Sequence, residues 1–376
     1  NGILSDYSGA VALVNQNSIA AESQLSSPLS VYVDNRTTVS GYMYPNFAKG
    51  VYASGTMGDG VEQSPFLIRT PKQLQNINPV IAYTANKYFA QDCDIDMSTT
   101  EIGGMATFSK AIVGDFSGTY NGNSYFINNL KISGLSNLAL FEYNGGRLIK
   151  ICMSNSTISG FSNVACLAAD NGGVIEQLYI TQPKVTSSST TNSYAAAITG
   201  HNYGAISNCL VEVNTSSKTA PIQGNGKGVG VVTGCNHTLN AKISDICIVD
   251  LDPNTSFSAV KGGSVEFVGG AVGKNAGYVT NILFLARAPY YKSSYCQAII
   301  GNRGYLSEDN YGAITSYYLK GSNLNTATPY DNSLGYNTTY FSKNTTITGD
   351  NWGRVTGYPY PMLKSFKTPL YYPSVF

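Results

Sequence analysis

One apolar pattern recurs along this chain, and the repeat restricts the fold more than any other feature of the sequence. Each copy begins with an asparagine that is followed within two residues by glycine, and apolar or aromatic residues occur at offsets of four, seven and nine. In the first copy these residues are Leu148, Ile151 and Met153. A sixth copy, near Cys235, contains extra residues before the pattern resumes at Ile243. The anchors of the other five copies are Asn144, Asn171, Asn202, Asn275 and Asn310.

The spacing and composition of the copies decide between a helical and a β repeat. Single units are 27, 31 and 35 residues long, counted between successive anchors. They contain β-branched residues, glycine turns and two-residue alternation, which are typical of short strands, whereas a helical repeat needs a 3.6-residue period. Stacked coils of this kind pair each strand with its copy in the next coil. The sequence therefore predicts an all-β fold, a right-handed parallel β-helix.

The anchoring asparagines have two structural interpretations. Stacked amides about 4.8 Å apart can donate to and accept from one another along the axis of the β-helix. Asparagine also tolerates the left-handed backbone of a turn, without any contact between coils. The sequence leaves both open, and in either case these residues are structural rather than catalytic.

The repeat also predicts the organisation of the chain. We expect the β-helix over 111–345, an N-terminal cap with the first strands over 61–110, and a C-terminal cap over 346–376. Thr70 followed by Pro71 predicts the start of a short helix in the first cap. Residues 1–60 show no repeat, and we expect a short helix and a strand that pack on the solenoid or begin a stalk.

Composition excludes several classes of protein. Charged residues are 12% of the 376 residues, about half the usual share, and the net charge is +1. The 43% hydrophobic content argues against disorder, the absence of a basic stripe against nucleic-acid binding, and the absence of a long apolar run against a transmembrane segment. Secreted β-rich proteins have such a composition. The chain starts at Asn1 without a signal peptide, so we expect a removed targeting segment.

The seven cysteines are predicted to be buried thiols rather than a disulfide framework. Their number is odd, and no Cys-x-x-Cys or Cys/His spacing indicates zinc. Most lie inside apolar runs, such as Ile151-Cys152-Met153. Cysteine in that setting acts as a small hydrophobic residue.

Several segments resemble the bacterial GLUG-motif proteins. The run Phe116-Ser117-Gly118-Thr119-Tyr120-Asn121-Gly122-Asn123 and the later Ile127-Asn128-Asn129-Leu130 resemble their opening coil. The stretch from Ala197 to Cys209 and Gly269-Gly270-Ala271-Val272-Gly273-Lys274-Asn275 resemble the repeat itself. The resemblance extends over roughly 61–365 and implies a secreted or surface-anchored bacterial β-helix of adhesin-like type.

Two qualifications accompany this resemblance. The copies at Leu140-Phe141-Glu142-Tyr143 and Ala168-Ala169-Asp170 lack the glycines of the motif. The GLUG repeat also accompanies a zinc peptidase domain in some immunoglobulin A peptidases. This chain has no His-Glu-x-x-His, and His201 and His237 are its two histidines, so we do not expect that activity. We expect both histidines to be exposed turn residues in different coils.

Three alternating aspartates near the start of the repeat region are the candidate metal or catalytic site. Asp92, Asp94 and Asp96 alternate, so a strand would place them on one face. Carboxylates on one face are suited to bind calcium, the one candidate cofactor, or to act on a sugar. The alternative is a structural role, in which they accept backbone hydrogen bonds at turns of the first coil. Asp245, Asp250 and Asp252 are expected on a solvated surface.

Tyrosine is unusually frequent, with 28 residues, and some cluster in predicted loops. Tyr290, Tyr291 and Tyr295 form one such cluster and are our candidate binding site for a protein or glycan. The alternative is that these rings cover exposed sheet faces.

Three functions are compatible with these features. We expect a non-catalytic cell-surface or secreted adhesin whose partner is a host or microbial glycan or protein. The first alternative is a β-helix polysaccharide lyase or hydrolase, which requires carboxylates that converge from adjacent coils. The second is a fibre or pilus subunit that assembles into surface fibres, suggested by the apolar N-terminal stretch.

Overall fold

Successive copies of the repeat pair as parallel strands in the computed structural model of the protein. The structure describes residues 60–77, 84–98, 107–216, 219–252, 257–263, 267–286, 296–297, 299–302, 313–314, 317–319, 334–336, 350–353 and 362–366. The predicted N-terminal segment 1–60 lies outside this part of the chain except for Gly60.

The described strands, in chain order, are β1 Phe66–Ile68, β2 Tyr88–Gln91, β3 Ile95–Asp96, β4 Val113–Phe116, β5 Thr119–Asn121, β6 Phe126–Asn128, β7 Lys131–Ser133, β8 Ser136–Leu138, β9 Phe141–Asn144, β10 Arg147–Ile149, β11 Cys152–Ser154, β12 Thr157–Gly160, β13 Ser162–Ala165, β14 Ala168–Asn171, β15 Val174–Glu176, β16 Tyr179–Thr181, β17 Lys184–Ser187, β18 Tyr194–Ala196, β19 Thr199–Asn202, β20 Ala205–Val213, β21 Ile222–Gly224, β22 Gly228–Val229, β23 Thr233–Asn236, β24 Lys242–Asp250, β25 Val260–Gly262, β26 Phe267–Gly269, β27 Val272–Asn275, β28 Tyr278–Leu285, β29 Cys296–Gln297, β30 Ile300–Asn302, β31 Ala313–Ile314, β32 Tyr317–Leu319, β33 Leu334–Tyr336, β34 Trp352–Gly353 and β35 Met362–Leu363. One α-helix, α1 Pro71–Gln75, and a 3-10 helix, Lys364–Phe366, complete the described elements.

Four parallel sheets run along the stack. Sheet 1 has two rows, β1-β2-β5-β10-β15 and β3-β6-β11-β16, which merge in the long strands β20, β24 and β28 and continue to β31, β32 and β33. Sheet 2 is β7-β12-β17-β21-β25, and sheet 3 is β8-β13-β18-β22-β26-β29. Sheet 4 is β4-β9-β14-β19-β23-β27-β30. The chain visits sheets 1 to 4 in each coil, which confirms the predicted parallel β-helix.

The apolar positions of the repeat form the interior rows of the stack. Leu148, Ile175, Ile206, Ile243 and Val279 are register partners in consecutive coils, and each is at most 1% exposed. Burial of each such side chain contributes roughly 1.5–3 kcal/mol. The last copy differs by one residue, because Val279 pairs with Ala313 and not with the predicted Ile314.

A buried asparagine ladder runs beside this core. The Nδ2 of Asn144 donates to Asn171 Oδ1, Asn171 to Asn202, Asn202 to Asn236, and Asn236 to Asn275, at 2.7–2.8 Å. The described anchors are therefore a ladder, and Asn236 is the anchor of the irregular sixth copy. Asn310 lies outside the described residues.

Corners of the coil are made by left-handed residues, most of them asparagine. Asn129 and Asn155 have φ of 57° and 52° in successive coils, and Asn137 and Asn163 have 55° and 51°. The row that follows the first strand of sheet 1 comprises Lys150, Gln177, Asn208, Asp245 and Asn281, with φ between 50° and 55°. Asparagine and aspartate reach this region at low cost, which explains much of the asparagine content.

The backbones of sheets 3 and 4 approach each other closely at glycine positions. A Cβ on Gly228 would lie 2.3 Å from the carbonyl oxygen of Gly234, and one on Gly273 would lie 2.5 Å from the Val229 nitrogen. In an earlier coil Ala169 occupies the register position of Gly273, and it belongs to a small cluster with Ala139 and Ala165 that is separate from the main core. The glycines of the repeat therefore mark a close approach between backbones.

The predicted N-terminal capping helix is present. The Thr70 hydroxyl accepts a hydrogen bond from the Gln73 nitrogen at 3.1 Å, and Pro71 is the first residue of α1. Leu74 of this helix is fully buried in the same core as the coils.

Two short C-terminal segments, 350–353 and 362–366, form what we call the C-terminal clasp. Its strands β34 and β35 pair antiparallel and lie against the outer side of β20 and β24 in sheet 1. The outward row Cys152, Tyr179, Leu210, Cys247 and Leu283 is accordingly buried on this side. The remainder of the predicted C-terminal cap lies outside the described residues.

The described cysteines are free thiols, and the two described helices are short. Cys152, Cys166, Cys209, Cys235 and Cys247 are buried free thiols, and Cys93 is a half-buried one. Among the described helices, neither is long and apolar enough to span a membrane.

Candidate functional site

The residue before each ladder asparagine lies on the outer side of sheet 4. These residues are Tyr143, Asp170, His201, Cys235 and Lys274, and each is the register partner of the next. Parallel pairing places successive members one coil, about 4.8 Å, apart. The chemistry-bearing side chains of this row and their neighbours, which we call the sheet-4 patch, are Tyr143, Asp170, Tyr194, His201, Tyr203, His237 and Lys274.

His201 is held from two sides. Its Nδ1 is 2.6 Å from Asp170 Oδ1 in the preceding coil, where the ionised carboxylate can only accept. The Tyr194 ring, on β18 of sheet 3, lies 4.2 Å from the imidazole centroid to centroid. The side chain of His201 is 13% exposed and that of Asp170 is 26% exposed. The imidazole is therefore fixed in orientation, and its other nitrogen is not used by the Asp170 contact.

Tyr203 and His237 extend the patch towards solvent. They follow Asn202 and Asn236, and their backbone nitrogens donate to the carbonyls of Asn171 and Asn202, each at 2.7 Å. The asparagine corner therefore places these two rings at equivalent positions in adjacent coils. The two ring centroids are 4.7 Å apart and inclined by 32°.

The two histidines of the chain meet here. Their ring centroids are 5.9 Å apart, and the Tyr203 ring is also 5.9 Å from His201. Both His237 and Tyr203 are exposed, Tyr203 by 39%. The two histidines lie in different coils, and His237 is exposed after β23, as expected. The expectation of an exposed turn residue is wrong for His201, which lies in strand β19 and is mostly covered.

Local electrostatics make the patch slightly cationic on one side. Partial burial, and then the nearby His201 and Lys274, lower the pKa of His237. Burial and then Asp170 raise the pKa of Tyr203. The Lys274 ammonium lies 5.8 Å from the centre of the Phe267 ring.

Cys235 belongs to the same row but is not a nucleophile. It is 1% exposed, and burial raises the pKa of its thiol to about 12. A Cys–His pair therefore does not form a reactive centre in this patch, because nucleophilic catalysis requires an accessible thiolate.

The predicted calcium cluster is not assembled. Asp92 binds Arg69, with Oδ2 at 2.6 Å from Nη2, and Asp94 accepts from the Phe126 nitrogen at 2.8 Å. Asp96 accepts from Asn129 and from the Ser98 nitrogen, and the Asn129 bond, followed by that of Ser98, lowers its pKa. The alternative role, as acceptors at turns of the first coil, matches Asp94 and Asp96.

Metal ligands do not converge elsewhere in the described part of the chain. No group of three histidine, cysteine, aspartate or glutamate side chains has a geometry that could hold a metal ion there. In the described strands, the register partner of each carboxylate in the adjacent coil is a residue other than aspartate or glutamate.

The structure bears differently on the predicted tyrosine cluster and on the carboxylates expected at the surface. Tyr290, Tyr291 and Tyr295, the candidate binding cluster, lie outside the described residues. The expectation of solvated carboxylates is wrong for Asp250, which is 3% exposed and bonded to the Thr215 hydroxyl at 2.6 Å. Burial raises the pKa of Asp250. Asp245 is also engaged, because it accepts hydrogen bonds from the C-terminal clasp.

The sheet-4 patch was not anticipated, although the repeat contains the signal. Aligning the copies on their asparagines places Tyr143, Asp170, His201 and Lys274 in one column, immediately before the anchor. Tyr203 and His237 occupy the column immediately after it. The missing information was the anchor at Asn236, without which the two histidines do not align.

Comparisons with known proteins support the fold and leave the family open. The fold is similar to the crystal structure of a Bacteroides ovatus protein named as a putative immunoglobulin A1 protease, with a TM-score of 0.54 and 17% identity. The alignment covers 82% of this chain and 94% of that chain.

Halomucin of Haloquadratum walsbyi is 29% identical over 150 residues, which are 38% of this chain and 2% of Halomucin. The match thus spans a very small part of that protein. No family profile matches the chain, so the resemblance to GLUG-motif proteins stays a prediction.

Proposed function

We propose that this protein is a non-catalytic, secreted or cell-surface bacterial adhesin of the β-helix type, which binds a glycan or protein partner through the sheet-4 patch. The observation that carries the proposal is the column of rings on one lateral face. Tyr203 and His237 offer adjacent exposed ring faces, and His201 is held beneath them by Asp170.

Aromatic and imidazole rings in this arrangement are suited to recognition. They give a large contact area at low cost in side-chain entropy, and the hydroxyl and ring nitrogens add directional hydrogen bonds. Tyr203 and His237 lie in consecutive coils, so a glycan that contacts both rings extends along the axis of the stack. The low charge of the chain and its solenoid fold support a surface or secreted location.

The alternatives receive less support from the described residues. A polysaccharide lyase or hydrolase of this fold needs carboxylates from adjacent coils, and the described strands place other residues opposite each carboxylate. The fibre or pilus alternative rests on the apolar N-terminal stretch, which lies outside the described residues.

Binding to glycan and matrix-protein arrays tests the proposal. We expect the wild-type protein to bind at least one glycan or protein, and Tyr203→Ser to weaken that binding about tenfold, equivalent to about 1.4 kcal/mol. The matched control is Tyr125→Ser, because Tyr125 is also 39% exposed but lies immediately before β6, outside the patch.

Two results would contradict the proposed function. One is the absence of binding across both arrays by protein whose fold is verified by circular dichroism. The other is an equal loss of binding in Tyr125→Ser and Tyr203→Ser, which would remove the sheet-4 patch as the site.

A further inference from the structure

The charges of the sheet-4 patch are sorted along the stack. Asp170 lies at one end and is bonded to His201, whereas His237 and Lys274 lie in the following coils. The charged groups that act on the His237 imidazole are His201, Lys274 and Asp170, and the first two lower its pKa after the effect of burial. The exposed ring therefore has the Lys274 ammonium near it, while the Asp170 carboxylate is bonded to His201.

An anion that binds beside His237 would gain from this arrangement. It would meet the imidazole and the Lys274 ammonium, while Asp170 is already engaged by His201. Linkage requires that an anion which prefers protonated histidines binds more tightly when the pH falls. Tyr203, Tyr194 and Tyr143 also face the patch, but tyrosine is neutral over the relevant pH range.

The shape of the site favours a sugar over a peptide as the carrier of that anion. Peptides commonly bind to sheets by adding a strand to a free edge. The lateral face of sheet 4 has none in the described coils, because each strand from β9 to β27 pairs on both sides. Flat rings such as Tyr203 and His237 instead suit the faces of sugar rings.

Resting on the proposed function, we propose that the sheet-4 patch binds a carboxylated glycan, such as a sialic acid or uronic acid sugar, and binds it more tightly in mild acid. His237 supplies the charge that changes with pH, and Lys274 supplies an ammonium group. Tyr203 supplies the ring on which the sugar stacks.

Titration with matched sugars tests this inference. Sialyllactose and lactose differ by the acidic sugar, and trigalacturonate supplies uronic acid carboxylates. We expect calorimetry in EDTA to give at least about fivefold tighter binding of the acidic sugars at pH 5.5 than at pH 7.5, since each exposed ion pair contributes up to about 1 kcal/mol. Lactose binding should not change with pH.

Variants separate charge from ring contact. His237→Phe retains a ring without a titrating nitrogen, so it should reduce the pH effect while binding at pH 7.5 persists. Lys274→Gln should weaken acidic sugars at both pH values. Lys242→Gln is the matched control, because Lys242 is an exposed lysine of the same coil as His237 but lies on sheet 1.

The outcomes distinguish this inference from the proposed function. Equal, pH-independent affinity for sialyllactose and lactose overturns the inference and leaves the adhesin proposal intact. Binding of polyglutamate in preference to both acidic sugars also overturns it, in favour of an acidic peptide. An unchanged pH effect in His237→Phe also overturns the inference. Failure to bind any sugar or array partner overturns both.

Discussion

Single buried polar residues have consequences for stability that the repeat does not explain. Glu212 in β20 is 4% exposed and accepts a hydrogen bond from the Tyr179 hydroxyl at 2.6 Å. Burial raises its pKa to about 7, against the lowering effect of the Tyr179 bond. An acid whose pKa is raised by folding destabilises the folded state once the pH exceeds its unfolded pKa.

Replacing Glu212 by Gln should therefore change the pH dependence of stability. Ionisation of Glu212 should lower the free energy of unfolding of the wild-type protein by up to about 3 kcal/mol as the pH rises from about 4.5 to 7. Above that pH this group should cause no further decrease. Glu212→Gln retains an acceptor for Tyr179 but cannot ionise, so the loss should disappear. Urea unfolding at pH 4.5, 6 and 8 measures this, with exposed Glu142→Gln as control. If the free energies of unfolding of the wild type and Glu212→Gln differ by the same amount at all three pH values, the raised pKa of Glu212 is contradicted.

The asparagine ladder makes a second prediction at this scale. Asn202 accepts from Asn171 and donates to Asn236 while fully buried. Asn202→Ala leaves one donor and one acceptor without a partner, each of which costs about 1–3 kcal/mol. We expect a clear decrease in the free energy of unfolding by urea, whereas exposed Asn192→Ala should change it little. If Asn202→Ala and Asn192→Ala lower the free energy of unfolding equally, the hydrogen bonds of the ladder make no specific contribution to stability.

At the scale of elements, the attachment of the C-terminal clasp depends on one carboxylate. Asp245 accepts from Trp352 Nε1 at 2.7 Å, from Asn351 Nδ2 at 2.9 Å and from Asn281 Nδ2 at 3.0 Å. Asn208 adds a bond to the Ser365 hydroxyl at 2.7 Å. Three donors on a half-buried carboxylate hold two elements that are distant in sequence.

Removing that carboxylate should release the clasp without unfolding the coils. Asp245 has a left-handed backbone, with φ of 55°, so Asp245→Gly removes the acceptor without adding backbone strain. Trp352 is the single tryptophan of the chain and is 4% exposed, so its fluorescence reports the clasp directly. We expect a red-shifted emission in Asp245→Gly and no shift in the control Asp115→Ala. An unchanged emission maximum with unchanged proteolysis would contradict this role.

Some elements could be predicted from the sequence because their cause is local. Two-residue alternation and the recurring anchor identify the interior rows, such as Leu148 and Ile175, and a capping threonine before proline identifies α1. Asp245 illustrates the limit, because its partners Asn351 and Trp352 come from a segment with no repeat. A carboxylate that appears solvated in sequence is therefore a structural contact in the fold.

At the scale of the whole molecule, the stack determines where function can lie. Interior rows are filled and one side of sheet 1 is covered by the clasp, whereas the sheet-4 patch leaves rings exposed. The patch could not be predicted because coil length varies, so residues on the same face are unevenly spaced in sequence. His201 and His237 come together only when the register through Asn202 and Asn236 is known.

Histidine labelling of the bound protein tests the central claim most directly. His201 and His237 are the two histidines of the chain, so the histidine adducts that mass spectrometry finds after diethylpyrocarbonate modification report the sheet-4 patch. For untagged protein saturated with the partner found on the arrays, we expect modification of exposed His237 to fall several-fold. Modification of His237 at the same rate with and without saturating partner would contradict binding at this patch.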